Sequence, residues 1–199
     1  YEKFGLPKEN LVQKYIKMGV DIVSFSGDKL LGGVQSGILC GKKKLINNLH
    51  KNSMYRALRS DKISISIMEN VLRTYLNNET VSKDNLTFNL LTRNRTEIEK
   101  IGKKILKDIE KSIIKKYDIK LIDSNVHAGS GSLPIENIES MALSFNSKQY
   151  KPTETSKKFR FLKNPIIGYI KKNKFHIDLK AIPNNQINIL IKSINNCLK

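Results

Sequence analysis

Cysteine and histidine are scarce in this chain of 199 residues. Its two cysteines, Cys40 and Cys197, lie far apart in the sequence, and its three histidines show no spacing typical of metal ligands. This scarcity argues against a disulfide-stabilised scaffold and a zinc site, and it fits a protein of the reducing cytoplasm. Long apolar runs are also missing, so the sequence predicts neither a signal peptide nor a membrane span.

Acidic residues are half as frequent as basic ones. The 18 Asp and Glu residues stand against 36 Lys and Arg residues, which gives a formal net charge of +18. An excess of this size attracts polyanions over long distances. The same excess also follows from a general enrichment in Lys, Asn and Ile, in which case most lysines are solvated on helix faces. Charge alone therefore favours nucleic-acid binding only slightly.

A glycine-rich segment around Lys29 has the clearest chemical pattern. The strand predicted for residues 20–25 runs into residues 26–37, Ser-Gly-Asp-Lys-Leu-Leu-Gly-Gly-Val-Gln-Ser-Gly. A lysine held in a turn after a strand is suited to form a Schiff base with a carbonyl cofactor, once its amine has lost a proton. Gly27 and the later glycines allow close approach of a planar ring and a phosphate, to which Ser26 can donate. For Ser-x-x-Lys alone, a solvated lysine in an ordinary turn is the alternative.

Hydrophobic periodicity predicts the secondary structure. Helices are expected at residues 9–18, 42–50, 61–76, 87–116, 153–162 and 183–198, and strands at 20–25, 36–40, 117–126, 138–145, 166–170 and 174–179. Gly19 is expected to cap the first helix, and Ser60 or Asp61 the third. Residues 77–85 are predicted to link two domains, and His176 to be half-exposed on its strand.

The apolar residues of two of these helices are expected to be covered. Those of the first helix are predicted to point inward: Leu11, Val12, Tyr15, Ile16 and Met18. The stripe on the third is predicted to lie in the core or at a subunit interface: Ile63, Ile67, Met68, Val71, Leu72 and Tyr75.

Four stretches occur in an order typical of one enzyme family. They are the lysine segment, residues 56–62 (Arg-Ala-Leu-Arg-Ser-Asp-Lys), residues 1–7 (Tyr-x-x-x-Gly-Leu-Pro) and residues 129–134 (Gly-Ser-Gly-Ser-Leu-Pro). Together they resemble bacterial selenocysteine synthase, the L-seryl-tRNA(Sec) selenium transferase. The resemblance covers the whole chain, closely to about Leu76 and loosely after it.

The resemblance implies an α/β fold of the aspartate aminotransferase-like, fold-type-I pyridoxal-phosphate class. The chain would be the C-terminal portion, with residues 1–78 ending the large domain and residues 79–199 forming a small α+β domain. The phosphate loop and the aspartate that pairs with the cofactor ring would precede Tyr1, so this portion alone is expected to be inactive. A cytoplasmic homo-oligomer without membrane contact is also implied.

The resemblance also implies roles for residues around the lysine. Lys29 would hold pyridoxal 5′-phosphate covalently and then move protons, with Ser26 and Gly27 helping to bind the cofactor. Asp28 would take part in proton transfer or orient a neighbour, although a plain turn residue explains it equally well. The implied reaction converts serine esterified to tRNA(Sec) into selenocysteine, with selenophosphate as the selenium donor.

Arg56 and Arg59 are the implied binding site for this anionic donor. On one helix, residues three apart share a face, so two guanidinium groups can hold one phosphate or selenophosphate. A surface arginine pair is the alternative for an arbitrary Arg-x-x-Arg. Two positions depart from the family pattern: Val34 replaces a proline and Lys180 an arginine. A lysine reproduces only part of what a bidentate arginine does.

Two other functions stay open at this point. One is a related pyridoxal-phosphate lyase or transferase that acts on a free amino acid or thiol. The other is a non-catalytic remnant that serves only in assembly or tRNA binding. The arginine pair and the positive charge favour tRNA over a free amino acid, whereas the missing half of the pocket and the two departures favour the remnant.

Overall fold

The computed structural model describes Phe4, Leu6 and residues 11–77, 79–127 and 138–199. The motif at 129–134 lies outside these residues, as does most of the motif at 1–7. The described residues form two compact units, one ending at Thr92 and one starting at Arg93. This division lies downstream of the boundary predicted after residue 78, and the assignment of the units to the family's large and small domains stays a prediction. Among the described residues, each helix is too short or too polar to cross a membrane.

The first unit contains a two-stranded antiparallel sheet and six helices among its described residues. Ile22 pairs with Gly41 and Ser26 with Gly37, so the lysine segment connects the two strands. The elements are α1 (Val12–Lys17), β1 (Ile22–Ser26), β2 (Gly37–Gly41), α2 (Lys43–Lys51), α3 (Ser53–Leu58), α4 (Lys62–Thr74), α5 (Val81–Asp84) and α6 (Leu86–Thr92).

Two predicted helix caps are confirmed. Gly19 follows α1 with a φ of +94°, a left-handed conformation that glycine adopts without steric cost. Asp61 precedes α4, and its carboxylate accepts the backbone N–H groups of Ile63 at 2.8 Å and Ser64 at 3.0 Å. The Ser64 hydroxyl also donates to this carboxylate at 2.7 Å, and the hydrogen bonds from Ser64 lower the pKa of Asp61. Local sequence thus determines where both helices begin or end.

The predicted inward orientation of the α1 apolar residues is largely wrong, and only part of the predicted α4 stripe lies in the core, so that its placement at a subunit interface stays a prediction. Leu11 and Met18 of the α1 region are exposed, as are Ile63 and Leu72 of the predicted α4 stripe, whereas Met68 is buried. The further exposed members of these two sets are Tyr15 and Ile67. The physical reason is that the sheet of this unit has only two strands, which cannot cover the apolar faces of all its helices.

The predicted linker at residues 77–85 is also wrong. Val81, in α5, is 2% exposed, and the buried side chain of Asn85 donates to the carbonyl oxygen of Leu31 at 3.0 Å. The segment is therefore an integral part of the first unit. Its polar composition is misleading because the amide of Asn85 finds its partner on a turn that is distant in the sequence.

The second unit is a four-stranded antiparallel sheet with helices packed on it. The strand order is β3-β4-β6-β5, and β4 pairs with both β3 and β6. The core contains Ile98, Ile105, Phe159 and Phe175, none of which is exposed. The elements are α7 (Arg95–Asp108), α8 (Lys111–Tyr117), β3 (Lys120–Val126), β4 (Ile138–Phe145), α9 (Pro152–Arg160), β5 (Tyr169–Lys171), β6 (Lys174–Asp178), a 3-10 turn (Asn184–Gln186) and α10 (Ile187–Cys197).

The single long helix predicted at residues 87–116 is in fact three helices, α6, α7 and α8. Asn94 starts α7 through a capping box, in which its side chain accepts the N–H of Glu97 at 2.9 Å. Ile109 ends α7 because its backbone is extended, with ψ at 140°. Isoleucines at helical spacing nevertheless share a buried face, as Ile105, Ile109 and Ile113 show. The periodicity therefore identified the buried side chains and missed the breaks between the helices.

The predicted hairpin is confirmed, but the predicted exposure of His176 is wrong. Lys172 and Asn173 turn the chain with φ of 48° and 56°, as a two-residue hairpin turn requires. The His176 side chain is 5% exposed, and its Nε2 lies 3.2 Å from the carbonyl oxygen of Lys171. Its ring stacks on Tyr169 of the neighbouring strand, with 5.2 Å between ring centroids. The Tyr169 ring on the neighbouring strand thus covers His176 and helps to bury this face of β6.

Lys180 is a buried lysine with a backbone partner. Its Nζ donates to the carbonyl oxygen of Arg93 at 2.6 Å, and its backbone N–H donates to Asp178 at 3.0 Å. Asp178 also accepts the hydroxyl groups of Ser124 at 2.7 Å and Ser140 at 2.6 Å. Burial lowers the pKa of Lys180. The lysine that replaces the family's arginine thus joins the first residue of this unit to the end of β6.

We expect Lys180→Met to change how stability depends on pH. Because burial lowers the pKa of Lys180 below its ordinary value of 10.5, the unfolded chain binds more protons between the two pKa values. The free energy of unfolding of the wild type should therefore rise relative to that of the variant as pH increases through this window. Urea unfolding at about pH 8 and about pH 10 measures the difference. A difference independent of pH would contradict the expectation, and Lys192→Met, at an exposed position, is the control.

Candidate functional site

The turn that contains Lys29 is closed by its own backbone hydrogen bonds. The N–H of Gly27 donates to Ser36 at 2.9 Å, next to the paired strands β1 and β2. The N–H of Gly32 donates to the carbonyl oxygen of Lys29, and the N–H of Gly33 to that of Gly27, both at 2.9 Å. Residues 27–33 therefore form a closed loop, and the backbone of Lys29 is fixed at its edge.

Two side chains from other elements hold this loop. The hydroxyl oxygen of Tyr75, after α4, lies 3.0 Å from the carbonyl oxygen of Leu31 and 3.3 Å from that of Leu30. The Asn85 amide also donates to Leu31 at 3.0 Å, and its own oxygen accepts the N–H of Phe88 at 3.0 Å. Sequence reasoning missed both roles, because Tyr75 was one member of an apolar stripe and Asn85 lay in the predicted linker.

The glycines of the turn are explained by packing within the first unit. A Cβ atom at Gly27 or Gly33 would collide with the terminal methyl group of Met68. Gly32 has a φ of +71°, and a Cβ atom there would lie 2.6 Å from the hydroxyl oxygen of Thr87. At Gly33 a Cβ atom would also lie 2.9 Å from the carbonyl oxygen of Gly27, so Gly32 and Gly33 are accounted for without contact to a planar ring.

The side chains of the turn are available for chemistry. Lys29 and Ser26 are half-buried and Asp28 is exposed. None of the three side chains forms a hydrogen bond or an ion pair with another residue in the described part of the chain. A primary amine without a competing partner, on a fixed backbone, fits covalent attachment to an aldehyde cofactor, and the Ser26 hydroxyl fits a phosphate oxygen. By contrast, Lys42 is ion-paired with Asp21 at 2.5 Å.

Arg56 and Arg59 lie at a helix end rather than on one continuous helix. Arg56 is in α3, which ends at Leu58, and Arg59 follows with an extended backbone whose N–H donates to Tyr55 at 2.8 Å. Both side chains are exposed and form no ion pair with the described residues. The shared helix face on which the prediction rested is thus absent, but both guanidinium groups remain available to an anion. No hydrogen bond among the described residues joins either of them to Lys29.

An apolar cavity of about 790 Å³ lies beside the lysine turn in the first unit. Its lining comes from β2, α2, α3 and α4 and includes Ile38, Leu49, Tyr55, Met68 and Leu72. Met68 belongs to both features, since it also packs against Gly27 and Gly33. None of the predicted site residues lines this cavity. The described residues also contain no group of His, Cys, Asp and Glu suited to a metal ion.

Comparison with known proteins identifies the family. A family model described as L-seryl-tRNA selenium transferase matches residues 1–183. The L-seryl-tRNA(Sec) selenium transferase of Desulfotalea psychrophila is 33% identical over 187 residues, which cover 94% of this chain and 40% of the relative. Those of Proteus mirabilis and Haemophilus influenzae are 38% and 39% identical, over 96% and 90% of this chain and 41% and 39% of the relative.

These relatives extend well beyond the region that is matched. The chain spans about two fifths of the length of the curated relatives it matches. The family model, by contrast, covers most of the chain. The family resemblance predicted from the lysine and arginine motifs is therefore confirmed, and the chain belongs to the L-seryl-tRNA selenium transferase family.

Proposed function

We propose that this chain supplies the cofactor lysine and the donor-binding arginines of an enzyme that converts L-seryl-tRNA(Sec) into selenocysteinyl-tRNA(Sec). The observation on which the proposal rests is Lys29, whose side chain has no partner among the described residues and whose turn is fixed by Tyr75 and Asn85. Family membership supplies the reaction class. The proposal includes an aspartate aminotransferase-like fold with pyridoxal 5′-phosphate as cofactor. It also includes selenophosphate as the selenium donor and a cytoplasmic homo-oligomer.

In this proposal each residue of the turn has a definite task. Pyridoxal phosphate, when bound, withdraws electrons from the α-carbon of the seryl group and so permits loss of the α-proton and the β-hydroxyl. Lys29 holds the cofactor at its Nζ and accepts a proton there when its amine is free. The Ser26 hydroxyl donates to the phosphate, and Asp28 takes part in proton transfer or orients a neighbour. Gly27 acts by shaping the turn, since its N–H is already bound to Ser36.

Arg56 and Arg59 are proposed to bind the selenium donor. Two guanidinium groups close together in the chain, with no carboxylate partner among the described residues, leave local positive charge uncompensated. A selenophosphate anion would compensate it through charge-assisted hydrogen bonds. The carboxylate of Asp61 does not compete with the donor for the two arginines. It already accepts the N–H groups of Ile63 and Ser64 and the hydroxyl group of Ser64.

The two departures from the family pattern are compatible with the local structure and so give no argument for a non-catalytic remnant. The family's proline at position 34 lacks an N–H, and the N–H of Val34 makes no hydrogen bond with another described residue. The carbonyl oxygen of Val34 accepts the Ser36 hydroxyl at 3.1 Å, which either residue type allows. The Nζ of Lys180 donates a hydrogen bond to the carbonyl oxygen of Arg93. Neither change therefore disrupts the turn or leaves a buried polar group without a partner.

Reductive labelling tests the role of Lys29. Borohydride treatment in the presence of pyridoxal phosphate, followed by peptide mass spectrometry, should label Lys29 in the protein that contains this chain. Lys29→Ala should abolish the label, whereas Lys42→Ala should leave it unchanged, because Lys42 is held in its ion pair with Asp21. Labelling of a different lysine would remove the central claim. The 199-residue chain by itself should be labelled less.

Tyr75→Phe tests whether the position of the turn matters. This variant keeps the ring and removes the hydroxyl group next to Leu30 and Leu31. Loss of one hydrogen bond of about 0.5–1.5 kcal/mol should loosen the turn and reduce Lys29 labelling roughly two- to tenfold, with the protein still folded. Tyr55→Phe, whose hydroxyl forms no hydrogen bond with the described residues, is the matched control. Equal labelling in the two variants would show that the turn does not need this bond.

Substitution of Arg56 or Arg59 tests donor binding. Either change to alanine should weaken use of the selenium donor by at least about tenfold, while Lys29 labelling stays intact. Lysine at the same position should rescue activity only in part, because it keeps the charge and loses the fork geometry. Arg73→Ala, which removes an ion pair with Glu69 at 2.6 Å, is the control. Parallel loss of labelling would instead mean that the pair is structural or holds the cofactor.

A further inference from the structure

The second unit holds most of the positive charge of the chain. Residues 93–127 and 137–199 contain 22 Lys and Arg residues against 9 Asp and Glu residues, a net +13 of the chain's +18. The proposed site residues all belong to the first unit. The charge of the second unit therefore requires an explanation of its own.

Two lysines of this unit are held by aromatic rings rather than by carboxylates. Tyr117 and Tyr150 stack with 5.3 Å between ring centroids. The ammonium groups of Lys116 and Lys158 lie 5.3 Å and 4.4 Å from the Tyr150 centroid, and so less than about 10 Å from each other. Neither lysine forms an ion pair with the described residues. Two like charges are thus kept close together without an internal anion.

The geometry also favours the charged form of Lys158. The Tyr117 hydroxyl lies 3.3 Å from the Nζ of Lys158, and this hydrogen bond raises the pKa of that lysine. Lys116 donates to the carbonyl oxygen of Leu198 at 3.5 Å. Neutral oxygen atoms orient both ammonium groups, and no carboxylate of the described residues compensates their charge.

A polar cavity of about 480 Å³ adjoins Lys116. Its lining is Lys115, Lys116, Asp118, Asn146, Lys148 and Gln149. Asp118 is the only acidic residue among them, and it is neutralised by Lys120 at 2.9 Å, whose hydrogen bond lowers the pKa of this carboxyl. Three lysines and Gln149 therefore line the cavity with side chains that can donate hydrogen bonds to an anion, while the Asn146 amide donates to Asp118 at 3.4 Å.

We propose that the lysine–tyrosine cluster, made of Lys115, Lys116, Lys148, Lys158, Tyr117 and Tyr150, binds the phosphate backbone of RNA. The inference rests on the proposed function, which supplies an RNA substrate. Phosphate oxygens match the ammonium and amide donors of the cavity. Base stacking on Tyr117 is excluded, because that residue is 0% exposed. Because phosphate contacts carry no sequence information, the cluster positions RNA without reading its sequence.

A matched pair of double variants tests this inference. Lys115→Gln/Lys148→Gln removes two exposed cavity lysines, whereas Lys104→Gln/Lys107→Gln removes two exposed lysines of α7 that do not line the cavity. Binding of a labelled tRNA transcript is measured by fluorescence anisotropy at several salt concentrations. The cavity variant should lose about tenfold or more in affinity at roughly 50 mM salt. Its negative slope of log K against log salt should become shallower by roughly 1–2. The control variant should stay within about twofold of the wild type.

The outcomes separate the cluster from the alternatives. Equal losses in the two double variants would overturn the proposal, since they would show diffuse attraction by net charge. Polyglutamate is tested as a competitor against unlabelled RNA at equal charge concentration. If it displaced the labelled tRNA as effectively as RNA does, the RNA proposal would be overturned in favour of an acidic protein partner. The cavity variant should lose affinity for an unrelated RNA duplex by the same factor as for the tRNA. Lys29 labelling, measured on the same proteins, reports on the proposed function separately, because it should be unaffected whether or not the cluster binds RNA.

Discussion

The hydrogen bonds on the carbonyl oxygen of Leu31 are the constraint on which the candidate site depends. Tyr75 and Asn85 both reach this one oxygen, and the loop of residues 27–33 closes on itself beside it. Several backbone groups of the turn are thereby used within the chain, and the Lys29 side chain has no partner among the described residues. Met68 fixes the other side of the loop by packing against its glycines. A reactive amine needs this combination of a fixed main chain and an unengaged side chain.

The two units are stable for different physical reasons. The second has a closed core between its four-stranded sheet and its helices, with Phe159 and Phe175 fully covered. The first combines a two-stranded sheet with exposed apolar residues on α4 and an apolar cavity next to Met68. Its order at the lysine turn therefore comes from specific hydrogen bonds and glycine contacts rather than from deep burial. The proposed chemistry lies in the less covered unit, and the excess of charge in the better packed one.

Lysine is the commonest charged residue of the chain, and the role of each lysine depends on the group that its ammonium contacts. Lys42 is ion-paired with Asp21, Lys180 is buried on a backbone carbonyl oxygen, and Lys158 lies over a tyrosine ring. Lys29 has none of these partners among the described residues. The net charge of +18 is thus a sum over groups with structural and candidate functional roles. Only the environment of each ammonium group separates them, because desolvation, aromatic rings and carboxylates affect its charge in different ways.

The sequence by itself determined the family, the strands, the caps at Gly19 and Asp61 and the hairpin before His176, because each depends on residues a few positions apart. Only the tertiary structure decided that Arg59 lies beyond the end of α3. It alone decided that His176 is buried and that residues 77–85 hold a turn rather than link domains. The physical reason is that burial and side-chain pairing join residues distant in the chain, as Asn85 and Leu31 are, and no local pattern specifies which distant carbonyl oxygen an amide will meet.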